Sequence, residues 1–153
     1  MYMKERYVME EVIKNLNQFL CDLEVMTVKL QNYHWNVQGK GFFRTHEQTE
    51  KYYDEMRNEI DEIAEHILAL GHEPLGTMQD FMNNSEIKEA KNEKIKSLEI
   101  VENVIQDYRT LKSKAIQIKE LAEGQKDYAT SSLMDNYLAS YSKKLWMLNE
   151  TIK

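Results

Sequence analysis

The stretch NYHWNVQGKGFFRTHEQTEKYYDE, residues 32–55, decides the reading of this chain. An apolar 3–4 periodicity runs into it through Leu30, Tyr33 and Val37, stops at Gly39 and Gly41, and resumes beyond them. That pattern is two helices joined by a tight, glycine-bearing turn. His34 lies six residues before Lys40 and His46 six after it, so an antiparallel hairpin sets the two imidazoles at one level, face to face. Farther along come Asp61 and Glu65, one helical turn apart and about 40° around the axis, so both carboxylates point the same way. His46 and Asp61 share one continuous helix and stand roughly 22 Å apart along it. They cannot hold the same ion within one chain. If all four are ligands of one site, that site lies between subunits, and a two-fold axis would create two equivalent copies of it. Residue types alone leave a plainer reading open, with the histidines as ordinary helix residues and Asp61/Glu65 as a solvated face.

Working outward, the periodicities predict helices over about 8–37, 43–70, 94–123 and 128–151. A short fifth helix at 78–83 sits in the long connection after Gly71 and Pro74, with Thr77 and Asp80 as a capping pair. Short first and last connections make antiparallel neighbours, and the long middle one crosses the bundle. The fold class is therefore all-α: one domain, residues 1–153, a ferritin-like four-helix bundle with a crossover between its second and third long helices. Glutamate three residues before histidine, the pattern of a di-iron site inside one bundle, is absent. Gln31, Phe43, Ile63 and Ala69 precede His34, His46, His66 and His72 at that spacing.

The composition agrees. One proline and five glycines among 153 residues disfavour a turn-rich sheet protein. The single cysteine, Cys21, reads as a buried thiol. The chain has no apolar run of membrane-spanning length and no signal-peptide core at its start, so a cytoplasmic location is expected. A net charge of −6 excludes a large basic face for nucleic acid and suits a cationic partner.

Residues 32–55, the following IDEIAEHILALGHEPLGT (60–77) and KLWMLNE (144–150) resemble the Dps family, the miniferritins named as DNA-binding proteins from starved cells. The resemblance implies a ferroxidase centre formed by two histidines of one subunit, at His34 and His46, and an aspartate and glutamate of a two-fold neighbour, at Asp61 and Glu65. It implies Fe²⁺ as the metal, hydrogen peroxide preferred over dioxygen as oxidant, and a homododecamer storing ferric mineral against oxidative damage. Glu50 stands where relatives often carry aspartate and is a further iron ligand or, with Glu47, a nucleation carboxylate. Glu123 and Asp127 match an acidic iron-entry pore, although Asp127 equally suits a helix cap and Lys126 dilutes the charge. Trp35 reads as core packing or as an oxidisable ring near the metal. His66 replaces a family arginine and reads as a surface residue. DNA compaction is the competing function. With only Lys4 and Arg6 ahead of the first helix pattern, weak or absent DNA binding is expected. A helical shell or scaffold without iron chemistry is the other alternative, and the intact quartet argues against it.

Overall fold

The computed structural model describes residues 2–153; the side chains of Tyr2, Glu5 and Val8 lie outside that description. In chain order the elements are α1 (Tyr2–Asn36), β1 (Val37–Gln38), α2 (Phe42–Ala69), α3 (Met78–Asn84), β2 (Ile95–Lys96), α4 (Ser97–Gly124) and α5 (Tyr128–Thr151). α1 packs along α2, α4 along α5, and α1 against α4, with α3 lying on α1. Among the described residues, no helix is long and apolar enough to cross a membrane.

The core follows from the predicted stripes. Leu16, Phe19, Leu23, Met26 and Leu30 of α1 interdigitate with Met56, Ile63 and Ile67 of α2, Ile100, Tyr108, Leu111 and Ile118 of α4, and Met134 and Tyr141 of α5. Fully burying one such side chain contributes about 1.5–3 kcal/mol. Two boundaries differ from expectation. α1 begins at Tyr2, because residues 2–7 are good helix formers that extend the packed part outward. The third long helix, α4, starts at Ser97, because Ile95 and Lys96 pair in parallel with Val37 and Gln38. Buried Val37 gains a cross-strand neighbour there, which helix-only reasoning omits.

The expected helix ends are present. Thr77 and Asp80 form a reciprocal capping box on α3. Asp127 caps α5, accepting from Thr130 N at 3.1 Å. Gly71 follows α2 with φ of 82°, the left-handed stop that glycine adopts freely. Lys126 takes φ of 62° after α4 without that freedom. Cys21 is fully buried, and its thiol is pushed up to about 12 chiefly by burial.

Asp22 is also fully buried on α1. Its Oδ1 accepts from Ser85 Oγ at 3.0 Å and Glu86 N at 2.7 Å, tying down the crossover, while Oδ2 has no partner among the described residues. Burial raises its carboxyl from 3.8 to about 6; the two hydrogen bonds and Lys114 oppose the rise, and Glu86 adds to it.

Two stability predictions follow from these positions. Lys126→Gly relieves the left-handed strain and raises stability by about 0.5–1 kcal/mol, read from denaturant midpoints at constant m. Asp22 binds its proton more tightly folded than unfolded. Its contribution is present in full below about pH 4 and is lost as pH rises through about 6. Asp22→Asn therefore gains roughly 1–2 kcal/mol over wild type at pH 7 and little at pH 4, measured as paired unfolding curves.

Candidate metal centre

The turn between α1 and α2 is built from Gly39 at φ 84° and Gly41 at φ 85°. A Cβ on Gly41 would meet the Ser97 hydroxyl at 3.0 Å, so this turn lies tight against the start of α4. The Thr45 and Ser97 hydroxyls close the same junction with a short hydrogen bond. Together with the β1–β2 pairing, these contacts fix how α2 leaves the turn relative to α1.

The hairpin brings His34 and His46 together as their spacing predicts. Their rings stack at 3.7 Å between centroids and 13° between planes. Each ring is held by the other residue's backbone: His34 Nδ1 bonds the His46 carbonyl at 2.5 Å, and His46 Nδ1 bonds the His34 carbonyl at 2.7 Å. A carbonyl only accepts, so Nδ1 carries the proton in both rings. In the neutral ring this leaves the lone pair on Nε2, the form in which imidazole ligates a metal. Phe42 stacks on His46 at 5.1 Å and Tyr53 sets its edge to His34 at 5.6 Å, so apolar walls orient the pair further.

α2 is unbroken from Phe42 to Ala69, so Asp61 and Glu65 do lie far along it from His46. Both are exposed, and neither makes an ion pair or side-chain hydrogen bond among the described residues. No group of three or more His, Cys, Asp or Glu side chains in the described part of one chain is arranged to hold a metal. The chain thus carries two half-sets: an imidazole pair with free ε nitrogens and a carboxylate pair with unused oxygens. The donor types suit a divalent first-row metal such as ferrous iron.

The other residues singled out fall in different places. Glu47 and Glu50 are exposed on the first turns of α2. Trp35 is 67% exposed, which overturns its core-packing reading; as the helix turns, the position after His34 leaves the core. His66 is not a plain surface residue. It is half-buried, its Nε2 shares a 2.7 Å hydrogen bond with Thr130 Oγ1, and Thr130 donates to Asp127 Oδ2 at 2.5 Å. Burial lowers the affinity of His66 for a proton, against the pull of Asp127. Asp127 is thereby engaged as cap and hydroxyl acceptor. Glu123 is exposed but paired with Lys119 at 2.9 Å, and it accepts from Ser131 Oγ.

Sequence reasoning passed over Glu59. This carboxyl is buried on the inner face of α2 between Met56 and Ile63, where the periodicity asks for an apolar residue. It accepts from Tyr141 Oη at 2.6 Å, and burial raises it from 4.5 to about 7 against that bond and Lys144. A charged residue interrupting an apolar stripe is a signal that could have found it.

Known proteins give the same picture. The family model described as a ferritin-like domain matches residues 13–153. The DNA protection during starvation protein of Helicobacter pylori is 33% identical over 90% of this chain and 94% of its own length. DNA protection during starvation protein 2 of Bacillus anthracis is 37% identical over 91% and 94%. Among solved structures, antigen TpF1 of Treponema pallidum superposes with a TM-score of 0.94 at 31% identity, covering 96% of this chain and 94% of that one. The DPS protein of Vibrio cholerae, described as a member of a broad superfamily of ferritin-like diiron-carboxylate proteins, gives 0.92 at 31% identity over 96% and 92%. With the hairpin, the crossover and both half-sets of donors in place, the chain belongs to the Dps family of ferritin-like proteins.

Proposed function

We propose that this protein oxidises Fe²⁺ at sites shared by two-fold-related subunits and stores the ferric product as mineral inside a twelve-subunit shell in the cytoplasm. The observation that carries this reading is the reciprocal Nδ1–carbonyl lock, which fixes the two stacked imidazoles, while among the described residues no group of three or more His, Cys, Asp or Glu of one chain is arranged to hold a metal. Asp61 and Glu65 of a neighbour complete the set, and the exposure of both carboxylates and of Trp35 suits an interface. Glu50 is a weaker additional ligand.

The chemistry follows from the donors. Neutral imidazoles and carboxylates bind ferrous iron as substrate and leave a position open for an oxidant. Two ferrous ions supply both electrons that hydrogen peroxide takes up, so no hydroxyl radical leaves the site. Dioxygen is the slower oxidant. A chain of net charge −6, repeated around a closed cavity, draws cations inward, and Glu47 and Glu50 offer carboxylates for nucleation. Iron enters near the α4–α5 turn. There Glu123 offers a carboxylate tempered by Lys119, and Asp127 is occupied by its cap.

Two experiments test this reading. His46→Ala and Asp61→Ala each slow Fe²⁺ oxidation by at least about tenfold in anaerobic loading followed by peroxide, while the assembly mass is kept. Wild-type rates in both variants remove the quartet as the site. Duplex DNA is bound weakly or not at all at about 150 mM salt with chelator, where charges beyond roughly 8 Å are screened. Lys4 and Arg6 are part of α1, and Arg6 already pairs with Glu10 at 3.6 Å. A stable mobility-shift complex lost on deleting residues 1–7 overturns that expectation.

A further inference from the structure

Two lysines are buried among the described residues, and their charges are met differently. Lys29 has the Asp107 carboxylate at 2.7 Å. Lys114, 7% exposed on α4, has amide oxygens instead: Gln18 Oε1 at 2.5 Å and Asn15 Oδ1 at 3.3 Å from α1, and Gln117 Oε1 at 3.3 Å on its own helix. The one carboxylate that pairs with it, among the described residues, is Glu86 of the crossover, at 3.8 Å. That oxygen already accepts from Gln18 Nε2 at 2.8 Å. Amide dipoles solvate an ammonium without cancelling its charge, and a buried charge without a close counter-ion is costly.

Lys114 lines an open cavity of about 340 Å³ along α4, and every side chain around that cavity is polar. Arg109 brings a second cation, with neither an ion pair nor a side-chain hydrogen bond among the described residues. Ser113 brings a hydroxyl that is likewise unengaged, and Thr110 brings another that donates to Gln106 O at 3.2 Å. A forked guanidinium, a point-charge ammonium and a free hydroxyl within two turns of one helix are the donors a compact oxyanion takes up. A polyanion fits less well. Duplex DNA needs several basic groups spaced along its backbone, and this cavity offers two beside a carboxylate, on a chain of net charge −6.

We propose that the cavity on α4 is a binding site for a tetrahedral oxyanion of the phosphate class, held by Lys114 and Arg109 with Ser113 as hydroxyl donor. The anion supplies the close counter-charge that Lys114 lacks. Glu86 is its competitor for the same ammonium, so the crossover sets the affinity of the site. Bound phosphate joins α4 to the groups of α1 that already hold Lys114, and it stabilises the folded chain. The site owes nothing to the iron chemistry.

The test uses the iron-free assembled protein, its mass verified, in a low-salt, phosphate-free buffer at neutral pH, with inorganic phosphate as the probe. Calorimetry finds one saturable site per chain in wild type. The melting temperature rises with phosphate, because the ligand binds the folded form alone. Lys114→Met, which keeps an unbranched side chain, weakens binding by at least about tenfold, the scale of a hydrogen bond to a charged group. Arg109→Gln weakens it by less. Glu86→Gln, which keeps the shape and an acceptor for Gln18, tightens it. Absence of saturable binding by wild type overturns the proposal, and so does unchanged affinity in both Lys114→Met and Arg109→Gln. If Lys114→Met fails to assemble, unchanged affinity in Arg109→Gln with no tightening in Glu86→Gln overturns it instead. Duplex DNA that binds wild type and not Arg109→Gln, where inorganic phosphate does not bind, overturns the free oxyanion and gives the cavity to a nucleic-acid backbone.

Discussion

The proposed metal chemistry depends on the uninterrupted run of α2. It carries His46 near its start and Asp61 and Glu65 near its end, and no fold of a single chain brings them together. On the proposed function, a continuous helix between the two pairs leaves each chain with an incomplete set of ligands. It also explains how exposed, unpaired carboxylates and a pair of stacked imidazoles coexist without collapsing on one another. Within each half, the local design is self-sufficient. The imidazoles take their orientation from each other's backbone carbonyls and need no carboxylate behind them.

Much of this was legible in the residues. The spacing of His34 and His46 about Lys40 gave the hairpin, and α2 joins the two pairs as an unbroken rod. Gly71, Thr77, Asp80 and Asp127 marked helix ends where their chemistry says they should. What was not legible depended on contacts between distant segments. Nothing near Ile95 announces that it pairs with Val37, because two-residue bridges leave no periodicity. Trp35 looked like core because aromatic residues usually are, and only its angle around α1 decides otherwise. The partner of His66 is a threonine on another helix, and Glu59 was hidden by a neighbouring isoleucine, Ile60, that fitted the apolar pattern nearly as well.

The buried polar groups divide by what they do. Lys29 and Asp107 pair at 2.7 Å between α1 and α4, where burial raises the Asp107 carboxyl and the ammonium opposes that rise without overcoming it. Asp22 secures a loop and keeps one oxygen without a partner, a standing cost at neutral pH. Glu59 and Tyr141 satisfy each other through a buried hydrogen bond between α2 and α5.

The pairing of Val37–Gln38 with Ile95–Lys96 has a consequence for the order in which the chain acquires its structure. The histidine hairpin is local and its two helices can meet early, since closing a short loop costs little entropy. Its turn is clamped only after the whole of α2, α3 and the crossover has been threaded and the first residues of α4 arrive beside it. Contacts of such long sequence separation form late in folding. The imidazole stack, held by contacts within the hairpin itself, therefore needs only the local closure, and the docking of α4 adds the clamp on its turn.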